Sequence, residues 1–456
     1  MHRRDFLKTV TGGAAAMAVE GLLGQAATTP AARPNIIFIL ADDLGYGDLG
    51  CYGQKLVATP NLDRMAAEGM RFTDAYCGAP VCAPSRCCLM TGQHTGHAWI
   101  RGNNGPPLRP RDVTVAQVLK SAGYATGLVG KWGLGDHDTF GIPNWKGFDY
   151  FFGFLNQSRA HNYYPEFLYR NRDEIRIEGN VVRNGVATAR KHYAPDLFLE
   201  ESLSFIDRNR SRPFFLHLTT TVPHANSAAR EKGLEVPSDE PYSDRDWPQP
   251  RKNFAAMVTR MDRDIGRIMA RLRELGIDDN TIVFFSSDNG PHREGGHDPA
   301  FFNSSGPLRG IKRDLYEGGI RVPLVVRWPG RIAPGSVSAL PCAFWDFLPT
   351  AAELGGAAAP PGLDGMSILP ALLGRTQKEH EFLYWEFHEG AFVQAVRMGR
   401  WKALRRGLRG RLELYDLSSD IGETTDIAAR HPAEVARIEA YLKTARTDSE
   451  YWEVGA

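Results

Sequence analysis

No excess of charge of either sign marks this chain. Its 54 Lys and Arg stand against 53 Asp and Glu, so no overall field selects nucleic acid or an anionic membrane surface. Any recognition of an anion has to be local. Long apolar runs are also lacking. The stretch Val10 to Leu23 is short and interrupted by Glu20, which excludes a stable membrane span of about 20 residues. Cysteine is sparse: six residues, at 51, 77, 82, 87, 88 and 342, with no Cys-x-x-Cys pair and no histidine at zinc-like spacing. A disulfide framework is the first expectation for six cysteines in an exported chain, yet adjacent Cys87 and Cys88 read most simply as buried small apolar residues. Cys82 needs another explanation. No internal repeat or low-complexity tract is found. What remains is an ordinary globular composition, 43% hydrophobic over 456 residues, enough for one large domain and a smaller one.

The N-terminus carries Arg3-Arg4-Asp5-Phe6-Leu7-Lys8, then an Ala/Gly-rich apolar stretch and small residues at Ala26 and Ala27. This resembles a twin-arginine export signal. It implies residues 1–30 as a leader, the twin-arginine translocase as a partner, and a periplasmic or extracellular location. Export in the folded state would let metal loading and cysteine modification finish in the cytoplasm.

Beyond the leader, short apolar runs alternate with amphipathic helical patterns, which predicts an α/β domain around a large, mainly parallel sheet flanked by helices. Phe254, Met257, Met261, Ile265, Ile268, Leu272 and Leu275 recur at spacings of three and four and predict a helix stopped by Gly276. Four runs read as buried strands, each delivering a polar residue. Asn35 to Leu40 leads into Asp42 and Asp43, Thr281 to Ser287 into Asp288 and Asn289, Ala125 to Val129 into Lys131, and Phe214 to Thr220 into His224. In an open parallel sheet such carboxyl ends share one edge, where these folds build their sites. From Glu381 onward, Gln394 to Met398, Trp401 to Leu404 and Leu412 to Asp416 predict a small antiparallel sheet, and Pro432 opens a helix to about Thr444. The expected layout is a catalytic domain at 33–375 and a smaller C-terminal α+β domain at 376–456.

Asp42, Asp43, Asp288 and Asn289 offer oxygen ligands only, which suits a hard cation, calcium before magnesium. The segment Cys82-Ala83-Pro84-Ser85-Arg86-Cys87-Cys88-Leu89-Met90-Thr91-Gly92 resembles the signature of the formylglycine-dependent (type I) sulfatases, the arylsulfatase-like branch of the alkaline-phosphatase-like hydrolases. Pro34 to Tyr46, Ser287 to Gly290, Gly130 to Gly135 and Leu308 to Arg313 resemble further motifs of that family. The resemblance implies that a formylglycine-generating or sulfatase-maturating enzyme oxidises Cys82 to formylglycine. The hydrated aldehyde then offers one hydroxyl to attack sulfur and another to expel sulfate. It implies Asp42, Asp43, Asp288, Asn289 and residue 82 around Ca2+, and Arg86, Lys131, His224 and Lys312 on sulfate, with His224 as the general acid. Pro84 and Ser85 suit a first helical turn, so residue 82 would face unpaired backbone N–H groups that welcome sulfate.

One departure stands out. Many members carry histidine two positions after the equivalent of Lys131, credited with activating or collapsing the hydrated aldehyde, and this chain has Gly133. His137 is a candidate to replace it. For the substrate, a sulfated sugar or an aryl sulfate, the candidates are His97 and Arg101, beside His94, and the loop of Asn156, Gln157, His161, Tyr163 and Tyr164, which either receives a sugar ring or packs as a surface loop. The basic segment Arg400 to Arg411 either borders the site or is a solvated face. Two rival readings stay open: a phosphonate monoester or phosphodiester hydrolase with the same cysteine signature, and a non-catalytic binder of sulfated glycans.

Overall fold

Asn35–Asp42 is a run of eight wholly buried residues because it lies in the interior of a ten-stranded sheet with apolar layers on both sides. Ile36, Phe38 and Leu40 point into one layer, Ile37, Ile39 and Ala41 into the other, as the twofold repeat of a strand requires. The computed structural model describes residues 33–454, so the expected leader falls outside the described residues. Among the described residues no helix is long and apolar enough to cross a membrane.

The four strands read from the sequence are neighbours and parallel, in the order Thr281–Ser287, Asn35–Asp42, Phe214–Pro223, Ala125–Lys131. Tyr150–Phe154 extends the parallel block. Toward the edges the sheet becomes mixed: Leu324–Arg327 runs antiparallel on one side and Phe167–Arg170 on the other. Because the central strands share direction, residues just past their carboxyl ends converge on one edge.

The helix Gln249–Glu274 covers one face with Phe254, Met257, Met261, Ile265, Ile268 and Leu272, all buried. Each such side chain contributes roughly 1.5–3 kcal/mol. The other face is covered by Cys82–Thr91 and Phe347–Gly355. A four-stranded antiparallel sheet, Leu383–Phe387, Val393–Met398, Trp401–Arg406 and Leu412–Asp416, follows with the helix Pro432–Leu442. Its buried polar side chains reach back to helix and loop residues of the larger part of the fold: Lys402 to Glu317 at 2.8 Å, Arg397 to Asp74 at 2.8 Å and Glu386 to Arg101 at 2.7 Å. All six cysteines are free thiols, so no disulfide framework exists.

Candidate active site

Asp42 ends its strand, Asp288 follows Ser287, Lys131 closes Ala125–Lys131, and His224 follows Pro223. The helix Cys82–Thr91 brings Cys82 to the same edge at its first residue, wholly buried. Cys82 Sγ lies 3.4 Å from Asp42 Oδ1. Ligand atoms of Asp42, Asp43, Cys82 and His224 all fall within 4.8 Å of one another.

Buried charge at this density survives only by pairing. Lys131 Nζ donates to Asp42 Oδ2 at 2.7 Å and Lys312 Nζ to Asp43 Oδ2 at 2.7 Å. Arg86 donates to Asp288 Oδ2 from Nε at 3.0 Å and Nη2 at 2.8 Å, and to the Lys131 carbonyl from Nη1. Burial pushes Asp42 and Asp43 up, but Lys131 beside the first and Lys312 beside the second hold both well below the usual carboxylate range. Asp288 goes the other way, raised to about 7 by burial and by Asp42. Lys131 and Lys312 stay above the ordinary lysine value although burial opposes it, because Asp42 and Asp43 face them. Three acids and three bases thus nearly cancel.

Two features are unresolved within the chain. Asn289 gives its Nδ2 to Asp43 Oδ1 at 2.7 Å, while its Oδ1 is buried without a partner. Asp43 sits at φ 68°, a left-handed conformation that a non-glycine residue keeps only when its surroundings fix it. An orphaned amide oxygen beside three carboxylates is the donor set of a hard divalent cation. The residues present therefore fit calcium or magnesium.

His224 Nδ1 lies 2.7 Å from the Ala225 carbonyl, which makes Nδ1 the protonated nitrogen. Nε2 then accepts from Lys312 Nζ at 3.1 Å. Burial, then Lys312, lowers its pKa well below the usual imidazole value, so the proton nearest the cavity is carried by Lys312. His161 stacks on His224 at 4.1 Å between ring centroids, lowered to about 4 by burial and by Lys131. Cys82, His161, His224 and Lys312 line one open cavity of about 590 Å³.

Of the residues picked from sequence, the structure brings together Asp42, Asp43, Cys82, Arg86, Lys131, His161, His224, Asp288, Asn289 and Lys312. From the substrate loop Gln157 joins them on the cavity wall, whereas His97, Arg101 and His137 do not reach it. His97 turns its Nδ1 to Asp364 at 2.8 Å. Arg101 is buried against Glu386 at 2.7 Å. His137, partly exposed, faces Asp138 at 2.9 Å and the Arg172 carbonyl at 3.2 Å. Tyr163 is buried and donates to the Thr221 carbonyl at 2.6 Å, bracing the strand end before His224. Two of the expected free amides at the helix start are spent: Ala83 N–H donates to Asn103 Oδ1 at 2.9 Å and Ser85 N–H to the Val81 carbonyl at 3.3 Å, and Pro84 has none. Anion binding therefore falls mainly to side chains. Sequence reasoning missed Asn103, Glu294, Arg313 and Glu389 on the cavity rim; the signal available was only the polar pair Asn103-Asn104 after Gly102.

Comparison with known proteins agrees with this geometry. Residues 34–357 match the family model described as Sulfatase, and residues 311–448 match that of N-sulphoglucosamine sulphohydrolase, C-terminal. The chain is 34% identical over 403 residues to N-acetylgalactosamine-6-sulfatase of Canis lupus familiaris, covering 81% of this chain and 71% of that one. It is 35% identical over 413 residues to arylsulfatase A of Homo sapiens, covering 84% and 77%. The solved structure of Ps i-CgsB in complex with k-i-k-neocarrahexaose superposes with a TM-score of 0.78 at 29% identity, covering 92% and 95%.

Proposed function

The chain belongs to the sulfatase family and is a sulfatase; from that premise we propose that it removes sulfate from a sulfated carbohydrate, with formylglycine made from Cys82 and with Ca2+ as its metal. The observation that carries this reading is the position of Cys82. Burial, only partly offset by Lys131, raises its thiol well above the ordinary value. A thiol held neutral in that way is a poor nucleophile at neutral pH, yet it stands beside Asp42 and lines the cavity. A conversion that replaces the thiol by a hydrated aldehyde would supply two hydroxyls on one carbon at that point.

Asp42, Asp43, Asp288 and Asn289 would hold the calcium ion, which would supply positive charge to a sulfate oxygen and to the oxygen on residue 82. With a cation held by Asp42 and Asp43, their partners Lys131 and Lys312 would be available to bind sulfate oxygens. Arg86 stays on Asp288 and the Lys131 carbonyl and fixes both. The proton for the departing alcohol is held between Lys312 Nζ and His224 Nε2, 3.1 Å apart, while the Ala225 carbonyl keeps the imidazole in one orientation. His161 seals the other face of that imidazole.

A carbohydrate substrate is supported by the polar rim and by relatives named N-acetylgalactosamine-6-sulfatase or solved in complex with k-i-k-neocarrahexaose. The twin-arginine-like leader supports export to the periplasm or beyond, with a maturating enzyme and the translocase as partners. Two measurements test the reading. Mass spectrometry of the peptide holding residue 82 should find the aldehyde in active protein; a wholly unmodified thiol in active protein would overturn it. Inorganic sulfate should be released from a panel of sulfated galactose and N-acetylgalactosamine sugars, and no release by aldehyde-bearing, calcium-loaded protein would count equally against it.

A further inference from the structure

One cavity side chain has no work in the scheme above. Gly133 adopts φ +77°, and a Cβ built on it would lie 2.4 Å from Gln157 Oε1. The carboxamide of Gln157 thus stands where any side chain at position 133 would begin. A left-handed backbone at 133 adds roughly 1–2 kcal/mol against a non-glycine residue. Glycine here and glutamine at 157 therefore belong together.

Gln157 Oε1 is buried and has no hydrogen-bond partner. Leaving such an oxygen unpaired costs on the order of 1–3 kcal/mol; packed against Gly133 it offers no surface to a ligand, so a hydroxyl is met by a turn of the amide that frees it. The residue lines the cavity together with Cys82, His161 and Lys312, next to the neutral polar groups of Asn103 and Ser158. A carboxamide does not titrate, so it cannot move the proton that a histidine at 133 would carry. It can donate to and accept from a neutral hydroxyl.

We propose that Gln157 is a specificity-determining residue: its side-chain amide fills the space left by Gly133 and hydrogen-bonds a hydroxyl of the substrate's sugar beside the sulfate. This rests on the reading of the cavity as a carbohydrate sulfate site. A hydroxyl on residue 82 offers the same chemistry, and the experiment separates the two sources.

Gln157→Leu keeps the volume and removes the polar atoms. In mature, calcium-loaded protein its kcat/KM is compared with that of the unmutated protein on two kinds of substrate. One is a panel of 4- and 6-sulfated galactose and N-acetylgalactosamine; the other is 4-nitrophenyl sulfate, which has no sugar hydroxyl. The expected result is a loss of at least about fivefold on the sugars, carried mainly in KM, with the aryl sulfate changed less than about twofold. Equal loss on both kinds would assign Gln157 to residue 82 and overturn the proposal, as would no loss on the sugars. A binding arm needs no turnover: in Cys82→Ala protein, Gln157→Leu should weaken calorimetric binding of N-acetylgalactosamine 6-sulfate by the same factor, and unchanged binding would overturn it. Failure of the unmutated protein to release sulfate from anything would instead defeat the sulfatase reading of the cavity, and the binding arm would still decide Gln157. The packing half is read by melting: Gly133→Ala should lower Tm less in a Gln157→Gly background than alone, and equal losses would refute it.

Discussion

Three carboxylates and three basic side chains are buried together twice in this protein, once beside Cys82 and once beneath the C-terminal sheet. In the second cluster Lys402 reaches Glu317 at 2.8 Å and Glu423 at 3.4 Å. Arg321 reaches Glu317 at 3.1 Å and Asp74 at 2.9 Å, and Arg397 reaches Asp74 at 2.8 Å. Tyr76 donates to Glu317 at 2.6 Å and the Glu317 amide to Glu423 at 2.7 Å. No atom of this cluster is left without a partner. Beside Cys82 the charges balance equally well, but Asn289 Oδ1 is orphaned, Asp43 is strained, and the group borders a cavity. The same inventory therefore serves two ends. A closed set ties the C-terminal sheet to the rest of the fold, whereas a set with an unfilled coordination position and an open side is arranged for something outside the chain.

Removing one member from each cluster breaks that comparison most sharply. Asp43→Asn deletes a proposed metal ligand and the counter-charge of Lys312, and should cut sulfate release by at least about 10³-fold. Melting should fall as well, because Lys312 is left buried without its counter-charge, so the loss of sulfate release is read on the folded fraction. Activity within tenfold of normal would erase the distinction. Lys402→Met does the reverse: it leaves Glu317 and Glu423 facing each other without their cation, and a broken buried pair costs roughly 3–5 kcal/mol. Denaturant unfolding should show that loss, with kcat of the folded fraction near normal at low temperature. A kcat loss at unchanged stability would mean that the joint, too, acts on the reaction.

Titration sharpens the same contrast. Burial pushes Glu317 up, but Lys402 and Arg321 hold it down at about 2, below its ordinary 4.5. A depressed carboxylate contributes stability that is present above the unfolded value and is lost as pH falls from about 4.5 toward 2, on the order of 3 kcal/mol. Glu423 is raised to about 7 by burial, so its contribution runs the other way and is lost as pH rises from 4.5 through 7. Glu423→Gln should flatten the loss on the neutral side while leaving the acid limb. An unchanged melting profile between pH 5 and 8 would contradict this assignment.

The strand ends that carry Asp42, Lys131, His224 and Asp288 were legible because each is a buried apolar run followed at once by a polar residue, and parallel neighbours put those ends on one edge. Partnerships across long separations were not. Arg101 looked like a substrate residue, yet its partner Glu386 lies 285 positions away. Lys402 sits in an ordinary alternating strand, and nothing local shows that it faces Glu317, 85 positions earlier. The helix start at Cys82 was readable from Pro84, but that Asn103 would take the Ala83 amide depends on a loop whose path pattern does not encode. Likewise Gly133 was visible as a departure, while the glutamine filling its space comes 24 positions later, from a different strand's loop.

His137 provides the smallest expected effect. As a histidine four residues after Gly133, it was the nearest replacement by sequence. In space its two ring nitrogens face Asp138 and the Arg172 carbonyl at 2.9 and 3.2 Å, its ring leans on Tyr169, and its side chain is 43% exposed. A hydrogen bond between groups this accessible is worth a fraction of a kcal/mol, because water replaces it. His137→Ala should therefore leave kcat/KM within about twofold on both sugar and aryl sulfates. His161→Ala, by contrast, uncovers one face of the His224 imidazole and should cost about tenfold, mostly in kcat, with a displaced alkaline limb of the pH profile. If the two substitutions exchanged effects, the loop from Leu134 to Ile142 would have to fold over the cavity when substrate binds, and proximity in sequence would have been the better guide after all.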